Sequence, residues 1–342
     1  MEPFTHAFSS LALARAGQSR LPRFGIWMMV VSGIAPDLDY ASYLGGASGF
    51  MRLHRAALHS VVGAGLVIGV IAGAFCLLDR RMPPKRSAPA VPPLGFASAL
   101  AVCAVGAAGH VVLDLLSGVG VKLLWPLRAH WYGRDLVTNF DPWVLALLVA
   151  GLLLPLLFKL VNEEVTSGQK QPSGRFSATI TLLLLLGYFG LRAHLHGEAV
   201  DLLLSREYHG RIAIAGDAFP EVSSPLNWRG VAVTDDTLEE VEVSPTRPDE
   251  FDSNDSLTRY KPPDSPALEV AEKSRSAERF LDYARLPIAT VRRIEADYRV
   301  DVRDARFPEG DDEPANIILR VDLGSNFEIR RDEFLFASSA NR

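Results

Sequence analysis

The chain has 342 residues, enough for two domains, and 48% of them are hydrophobic. Residues 1–200 contain 16 Lys and Arg against 10 Asp and Glu, whereas residues 201–342 contain 19 against 30. The first part therefore has a net charge of +6 and the second of −11, which argues against a chain that is soluble throughout and favours two domains in different solvents. Nothing in this pattern predicts a nucleic-acid partner.

Both cysteines, Cys76 and Cys103, lie in long apolar runs, which favours buried thiols over a disulfide. The N-terminus begins with Glu2 and Pro3, and His6 interrupts its early apolar stretch. We therefore expect no cleavable signal peptide.

Four apolar segments have the length and composition of membrane spans, which need about 20 mostly apolar residues. They cover residues 60–78, 94–113, 142–158 and 176–191. Two shorter apolar segments, 4–14 and 24–35, precede them, and we expect these to form a helical hairpin that is partly re-entrant. Pro36 ends the second of these segments because proline cannot extend a helix.

The orientation in the membrane follows from Lys and Arg, which are enriched in short cytoplasmic loops. The loop 79–93 is basic and is expected in the cytoplasm; its cations are Arg80, Arg81, Lys85 and Arg86. Alternation then places residues 36–59, 114–141 and the whole tail outside the cytoplasm. The chain is thus expected to be an integral membrane protein.

The tail from about residue 205 alternates apolar and polar residues, as half-buried strands do. Examples are RGVAVT, EEVEVS and NIILRVDL. Residues 266–297 have helical composition, and residues 245–265 are rich in Pro, Asp and Ser and are expected to form a loop. The predicted fold is an α-helical multi-span membrane domain, 1–200, followed by a small acidic α+β domain, 201–342, that is soluble and extracytoplasmic.

Histidines and aspartates from four separate elements map to the outer ends of the predicted spans. These residues are His6, Asp37, Asp39, His54, His59, His110 and Asp114. His110 and Asp114 are four residues apart and share one helical face. Imidazole and carboxylate together suit zinc, manganese or iron, so the set predicts a divalent metal site.

Each member of this set also has a structural interpretation. A His-x-x-x-Asp pair can join helices by a hydrogen bond. Asp37 and Asp39 can be ordinary loop residues. Otherwise, an irregular turn can aim both carboxylates inward, or one can be a ligand while the other orients a ligand. His54 and Arg55 can anchor the chain at the interface. Two further polar residues lie in the same loop region: His130, which stands among aromatic residues, and Asp141, which is expected to cap the next helix.

The ordered motifs resemble the YdjM-type family of membrane-bound, metal-dependent hydrolases. They are MEPFTHAFSSLALARAG, GIAPDLDY, HRAALHS, GHVVLDLLSGVGVKLLWP, DPW and FPEVSSPLNWRGV, within residues 1–235. The family also looks distantly similar to the helical zinc phospholipase C and P1 nuclease group. This resemblance implies that the chain is an integral protein of a bacterial inner membrane. It also implies metal binding at the positions that match the family's polar motifs, which are His6, Asp39, His54, His59, His110 and Asp114.

The favoured hypothesis is a hydrolase in which a divalent metal, zinc by preference, activates water to attack a phosphoester or ester. A site near the outer lipid interface would suit a lipid or another membrane-embedded substrate. The alternative is a non-enzymatic membrane protein with a structural His/Asp cluster and a partner-binding tail. A transporter would need polar residues near the bilayer midplane, whereas these cluster at one end.

Overall fold

The computed structural model describes residues 1–82, 93–165, 174–309 and 314–340, which form two compact units. The first unit consists of Met1–Asp39, Arg55–Arg128 and Tyr132–Ala193, and the second of Tyr40–His54, Ala129–Trp131 and His194–Arg342. The sequence predicts one boundary near residue 200. It does not predict that two short segments from the N-terminal part belong to the second unit.

Helices account for the N-terminal part of the described chain. In chain order they are α1 (Pro3–Ala16), α2 (Gly25–Ile34), α3 (Gly46–Leu53), α4 (Val61–Arg81), α5 (Phe96–Leu116), α6 (Pro142–Val165) and α7 (Gly174–Leu204). A 3-10 helix, Ala35–Gly45, separates α2 from α3 and contains Pro36. The expected hairpin of two short helices is present as α1 and α2.

Three of these helices, α4, α5 and α7, are long and apolar enough to cross a membrane. The 21 residues of α4 and of α5 rise by about 32 Å at about 1.5 Å per residue, which matches the hydrocarbon core of a bilayer. The predicted span 142–158 coincides with α6, but its described apolar portion, Pro142–Pro155, is shorter than a span. The side chains of residues 156–158 lie outside the described residues.

The basic loop is described only in part. Arg80 and Arg81 form the last turn of α4, whereas Lys85 and Arg86 lie outside the described residues. Cys76 and Cys103 are free thiols, as expected, and Cys103 is buried.

Close helix packing in the first unit depends on glycine. A Cβ atom at Gly33 would lie 1.8 Å from Ser10 Oγ of α1, and one at Gly106 would lie 2.4 Å from the Met29 carbonyl oxygen of α2. Small residues let helix backbones approach in a membrane protein, where packing replaces the hydrophobic effect as the cause of association. Helix α2 is therefore held tightly against both α1 and α5.

The second unit contains two antiparallel four-stranded sheets, each in sequential order. The first sheet consists of β3 (Ala215–Pro220), β4 (Trp228–Val233), β5 (Thr237–Val243) and β6 (Leu257–Tyr260), after the short hairpin strands β1 (Glu207–Tyr208) and β2 (Arg211–Ile212). The second sheet consists of β7 (Pro287–Ile294), β8 (Asp297–Asp304), β9 (Ile317–Leu323) and β10 (Ile329–Phe336). Helices α8 (Pro266–Glu272) and α9 (Arg275–Tyr283) connect the sheets, and α10 (Ala337–Ala340) follows β10.

The α+β character of the tail is confirmed, but two local predictions were wrong. Residues 287–294, expected to be helical, form β7, because Pro287 and the β-branched residues after it favour an extended edge strand. Residues 257–260, expected to be loop, form β6, which pairs with β5 in register Leu238↔Arg259. Short strands of this kind are stabilised by pairing with a neighbour that local composition does not identify.

Candidate metal centre

The His-x-x-x-Asp pair lies near the C-terminal end of α5. His110 and Asp114 point from one face of the helix, and both side chains are fully buried. His59 reaches them from the segment before α4, where Ser60 caps the helix by accepting a hydrogen bond from the Gly63 amide. His59 thus lies before the first residue of α4.

Three atoms of these residues form a nearly equilateral triangle. His59 Nε2 lies 3.0 Å from His110 Nε2 and 3.0 Å from Asp114 Oδ2, and His110 Nε2 lies 3.3 Å from Asp114 Oδ2. Zinc–ligand bonds of about 2.0 Å in tetrahedral geometry separate ligand atoms by about 3.3 Å. The sides of the triangle, 3.0 to 3.3 Å, are close to the separation that a tetrahedral zinc requires of three protein ligands.

The hydrogen bonds behind the two rings determine which nitrogens face the triangle. His110 Nδ1 lies 2.7 Å from the Gly33 carbonyl oxygen, and His59 Nδ1 lies 2.9 Å from Asp39 Oδ2. Both oxygens accept, so both Nδ1 atoms donate, and in the neutral rings both Nε2 atoms carry lone pairs. Two lone pairs that face each other at 3.0 Å need a cation between them, either a proton or a metal ion.

A second group shares His110 with the first. It consists of His6, Asp37 and His110, whose candidate ligand atoms lie within 4.8 Å of one another. The rings of His6 and His110 stack with centroids 3.6 Å apart, and Asp37 Oδ1 lies 3.7 Å from His110 Nε2. Among the described residues, the two ring nitrogens of His6 and the Oδ2 atom of Asp37 have no hydrogen-bond partner. Buried polar atoms without partners are costly, and a bound cation would satisfy these acceptor atoms too.

Asp39 lies behind His59 and not at the centre of the triangle. Its Oδ2 atom accepts hydrogen bonds from His59 Nδ1 and from the Arg55 amide, each with a donor–acceptor distance of 2.9 Å. A carboxylate that accepts from the distal nitrogen of a histidine fixes the tautomer and raises the basicity of the ligating nitrogen. Asp37 and Asp39 thus correspond to the sequence-based alternative of one ligand candidate and one orienting residue.

Burial and hydrogen bonding change the proton affinities of the groups outside the spanning helices. Burial lowers the pKa of His6 to about 3 and raises the pKa of Asp37 to about 6. Burial also acts to lower the pKa of His59, but its hydrogen bonds with Asp114 and Asp39 prevail and raise it to about 9. Without a metal, a proton on His59 is therefore the cation that these groups favour at neutral pH.

Three other predicted residues lie elsewhere. His54 follows α3 in the second unit, where its ring stacks on Phe50 with centroids 4.2 Å apart and contacts Tyr40 at 4.4 Å. His130 is exposed in the second unit. Asp141 caps α6 as expected, because its Oδ1 atom accepts from the amides of Trp143 and Val144.

Two cations in the cluster were not predicted. The Arg55 guanidinium, only 2% exposed, lies 3.3 Å from Asp114 Oδ1, and the Met1 ammonium contacts the same oxygen. The sequence signal for Arg55 is its position between His54 and His59 in HRAALHS, where we expect an interfacial anchor from the sequence alone.

Comparison with known proteins supports the resemblance that the motifs carry. Residues 1–197 match the model of a family described as YdjM inner membrane protein, so the segment 219–231, which the motif resemblance includes, lies beyond the matched part. No curated protein and no solved structure matches the chain. The matched residues contain every predicted ligand and make up more than half of the sequence, and the chain therefore belongs to the YdjM inner membrane protein family.

Proposed function

We propose that this protein is a membrane-bound hydrolase that binds zinc through a ligand triad of His59, His110 and Asp114. The observation that supports this most directly is the triangle of His59 Nε2, His110 Nε2 and Asp114 Oδ2, with sides of 3.0, 3.0 and 3.3 Å. Three protein ligands and one open position are typical of catalytic zinc, whereas structural zinc is enclosed by four.

Each residue around the triad has a role in this proposal. Zinc supplies a Lewis acid that activates water and polarises a phosphoester or ester. Asp39 and the Gly33 carbonyl orient the two imidazoles, and Asp37 and His6 add further candidate metal-ligand atoms beside His110. Asp37 can also accept the proton that the attacking water loses, since its Oδ2 atom has no hydrogen-bond partner among the described residues.

The depth of the triad favours a lipid or another membrane-embedded substrate. His110 lies six residues before the end of α5, which corresponds to about 9 Å along the helix. That position is within a span but near one end, at the level where lipid headgroups meet hydrocarbon. With the basic end of α4 in the cytoplasm, this end of α5 and the second unit are extracytoplasmic in our proposal.

A non-enzymatic role is the second candidate, and the cations of the cluster favour it. Arg55 and the Met1 ammonium neutralise Asp114, and a proton on His59 can satisfy the remaining contacts. The cluster would then be a buried ion-pair network that joins α5 to the chain segments preceding α1 and α4.

Metal content separates the two candidates. We expect the detergent-purified protein, prepared without chelator, to contain zinc in stoichiometric amounts by elemental analysis. His110→Ala and Asp114→Ala should lose the metal and any phosphoesterase or esterase activity while still inserting into the membrane. His194→Ala is the matched control, because this histidine is exposed on α7. Metal-free wild-type protein, or full metal content in His110→Ala, would contradict the zinc site and favour the structural role.

A further inference from the structure

Arg55 contacts two carboxylates of the site: that of Asp39 through its backbone amide and that of Asp114 through its guanidinium. Its backbone amide donates a hydrogen bond to Asp39 Oδ2 at a distance of 2.9 Å. The same oxygen accepts a hydrogen bond from His59 Nδ1. This contact requires an uncommon backbone conformation for a residue other than glycine, with φ at +55°. The surrounding structure must hold that conformation in place.

The side chain of Arg55 is held equally firmly. One terminal nitrogen donates to Ser117 Oγ at 2.8 Å and to the Gly120 carbonyl oxygen at 3.4 Å, and the other donates to Asn139 Oδ1 at 3.1 Å. These partners lie in the segments that follow α5 and precede α6. The planar fork of arginine can satisfy several fixed acceptors at once, which the single ammonium of lysine cannot.

The two oxygens of Asp114 face different groups as a result. Oδ1 lies 3.3 Å from the Arg55 guanidinium, 3.4 Å from His6 Nε2 and in contact with the Met1 ammonium. Oδ2 lies 3.0 Å from His59 Nε2 and 3.3 Å from His110 Nε2. One carboxylate oxygen is thus occupied by cations of the protein, and the other belongs to the triangle.

We propose that Arg55 is a positioning residue that makes Asp114 a monodentate ligand. It retains Oδ1 through its guanidinium, presents Oδ2 to the metal, and orients His59 through its backbone contact with Asp39. The inference depends on the proposed metal site but is separate from it, because the triad can bind metal whether or not Arg55 controls the denticity of Asp114.

Cobalt(II) is the probe, because its visible absorption is intense in four-coordinate sites and weak when more ligands bind. We would titrate cobalt into wild type, Arg55→Gln, Arg55→Lys and Arg52→Gln in detergent. Arg52 is an exposed arginine on α3 and serves as the matched control. Arg55→Gln should bind cobalt about 10- to 100-fold more weakly, the range for loss of a group that orients a ligand. It should also show a weaker visible band as Oδ1 joins the metal, with partial recovery in Arg55→Lys.

Ser117→Ala provides a second test if Arg55→Gln does not fold. It removes one anchor of the guanidinium and keeps the charge, so the band should weaken in the same direction but less. A wild-type band and wild-type affinity in Arg55→Gln, or in Ser117→Ala where only that variant folds, would overturn the role of Arg55 and leave the metal site intact. Wild-type protein that binds no cobalt would overturn the metal site and this inference with it.

Discussion

His110 Nδ1 donates a hydrogen bond to the backbone carbonyl oxygen of Gly33, 2.7 Å away. The acceptor lies in the last turn of α2, so the orientation of a histidine on α5 depends on how closely these two helices approach. That approach is possible because Gly106, one turn before His110, has no side chain. A Cβ atom there would lie 2.4 Å from the Met29 carbonyl oxygen and 2.4 Å from Ser32 Oγ.

We predict that Gly106→Val separates α2 from α5 and lengthens the hydrogen bond between His110 and Gly33. Overpacking of this kind typically lowers the free energy of unfolding by about 1–3 kcal/mol. Metal affinity should fall as well, because the His110 ring loses the acceptor that fixes its tautomer. Thermal unfolding in detergent and metal titration measure the two effects. Gly69→Val on α4 is the control, since a Cβ atom at Gly69 has no described neighbour within 4 Å. Equal behaviour of the two variants would contradict the packing argument.

A second prediction concerns the hydrogen bond between His59 Nδ1 and Asp39 Oδ2. Asp39→Asn keeps an acceptor of similar size but removes the negative charge that makes His59 more basic. We expect about 10- to 100-fold weaker metal binding with an unchanged metal count at saturation, because the ligand triad itself is intact. Asp201→Asn, at an exposed position of α7, controls for the change in net charge. If Asp39→Asn lowered the saturating metal count, Asp39 would be a ligand itself.

The features of this cluster that follow from the sequence are those that depend on local information. The spacing of His110 and Asp114 determines a shared helical face, and long apolar runs identify spans by composition alone. The sequence also allowed for Asp37 and Asp39 to have different roles. The common acceptor of His59 and Arg55 could not be predicted, because it depends on a positive φ at Arg55 and on contacts across 16 and 20 residues.

In the tail, too, local sequence information predicts only part of the structure. The strands β4, β5 and β9 alternate clearly and are predicted, whereas β6 and β7 are not. The residues of β6 and β7 lack a clear alternation of buried and exposed positions, so they resemble loop or surface helix in composition. The placement of residues 40–54 in the second unit is likewise a property of tertiary packing, where Phe50 of α3 joins a core with Phe280.

A third prediction tests the second unit. Glu239 on β5 is buried, and its carboxylate accepts hydrogen bonds from the hydroxyls of Thr237, Ser256 and Thr258 at 2.7–2.8 Å. Burial acts to raise the pKa of Glu239, but these hydrogen bonds prevail and lower it below its usual value of 4.5. The carboxylate therefore stabilises the fold at neutral pH, and this contribution is lost as the pH falls through the lowered pKa.

Glu239→Gln should destabilise the second unit by about 1–3 kcal/mol at pH 7, because an amide accepts fewer hydrogen bonds than a carboxylate. The difference from wild type should narrow at acidic pH, where Glu239 is itself protonated. Resistance of the second unit to protease in increasing urea, measured on the full-length protein, reports this change. Glu272→Gln, at an exposed position on α8, should have little effect. A difference that stays constant between neutral and acidic pH would argue against the role of the charge.

The last prediction concerns topology, in which α6 is decisive. Three crossings by α5, α6 and α7 would place the second unit on the side of the membrane opposite to the basic end of α4. If α6, whose described apolar portion covers only Pro142–Pro155, does not cross, the two would lie on the same side. We expect three crossings, since basic residues favour the cytoplasm and the His/Asp cluster lies away from them.

Single cysteines at two exposed positions distinguish these arrangements, in a background where Cys76 and Cys103 are replaced by alanine. One is Arg81→Cys at the end of α4, and the other is Asp264→Cys in the loop before α8. A membrane-impermeant maleimide should label Asp264→Cys in cells whose inner membrane is intact, and Arg81→Cys only after that membrane is disrupted. Labelling of both positions in intact cells, or of neither, would mean that α6 does not cross and that the second unit shares the side of the basic loop. Labelling of Arg81→Cys alone would invert the whole topology, because the positive-inside bias would then have failed at its most basic loop.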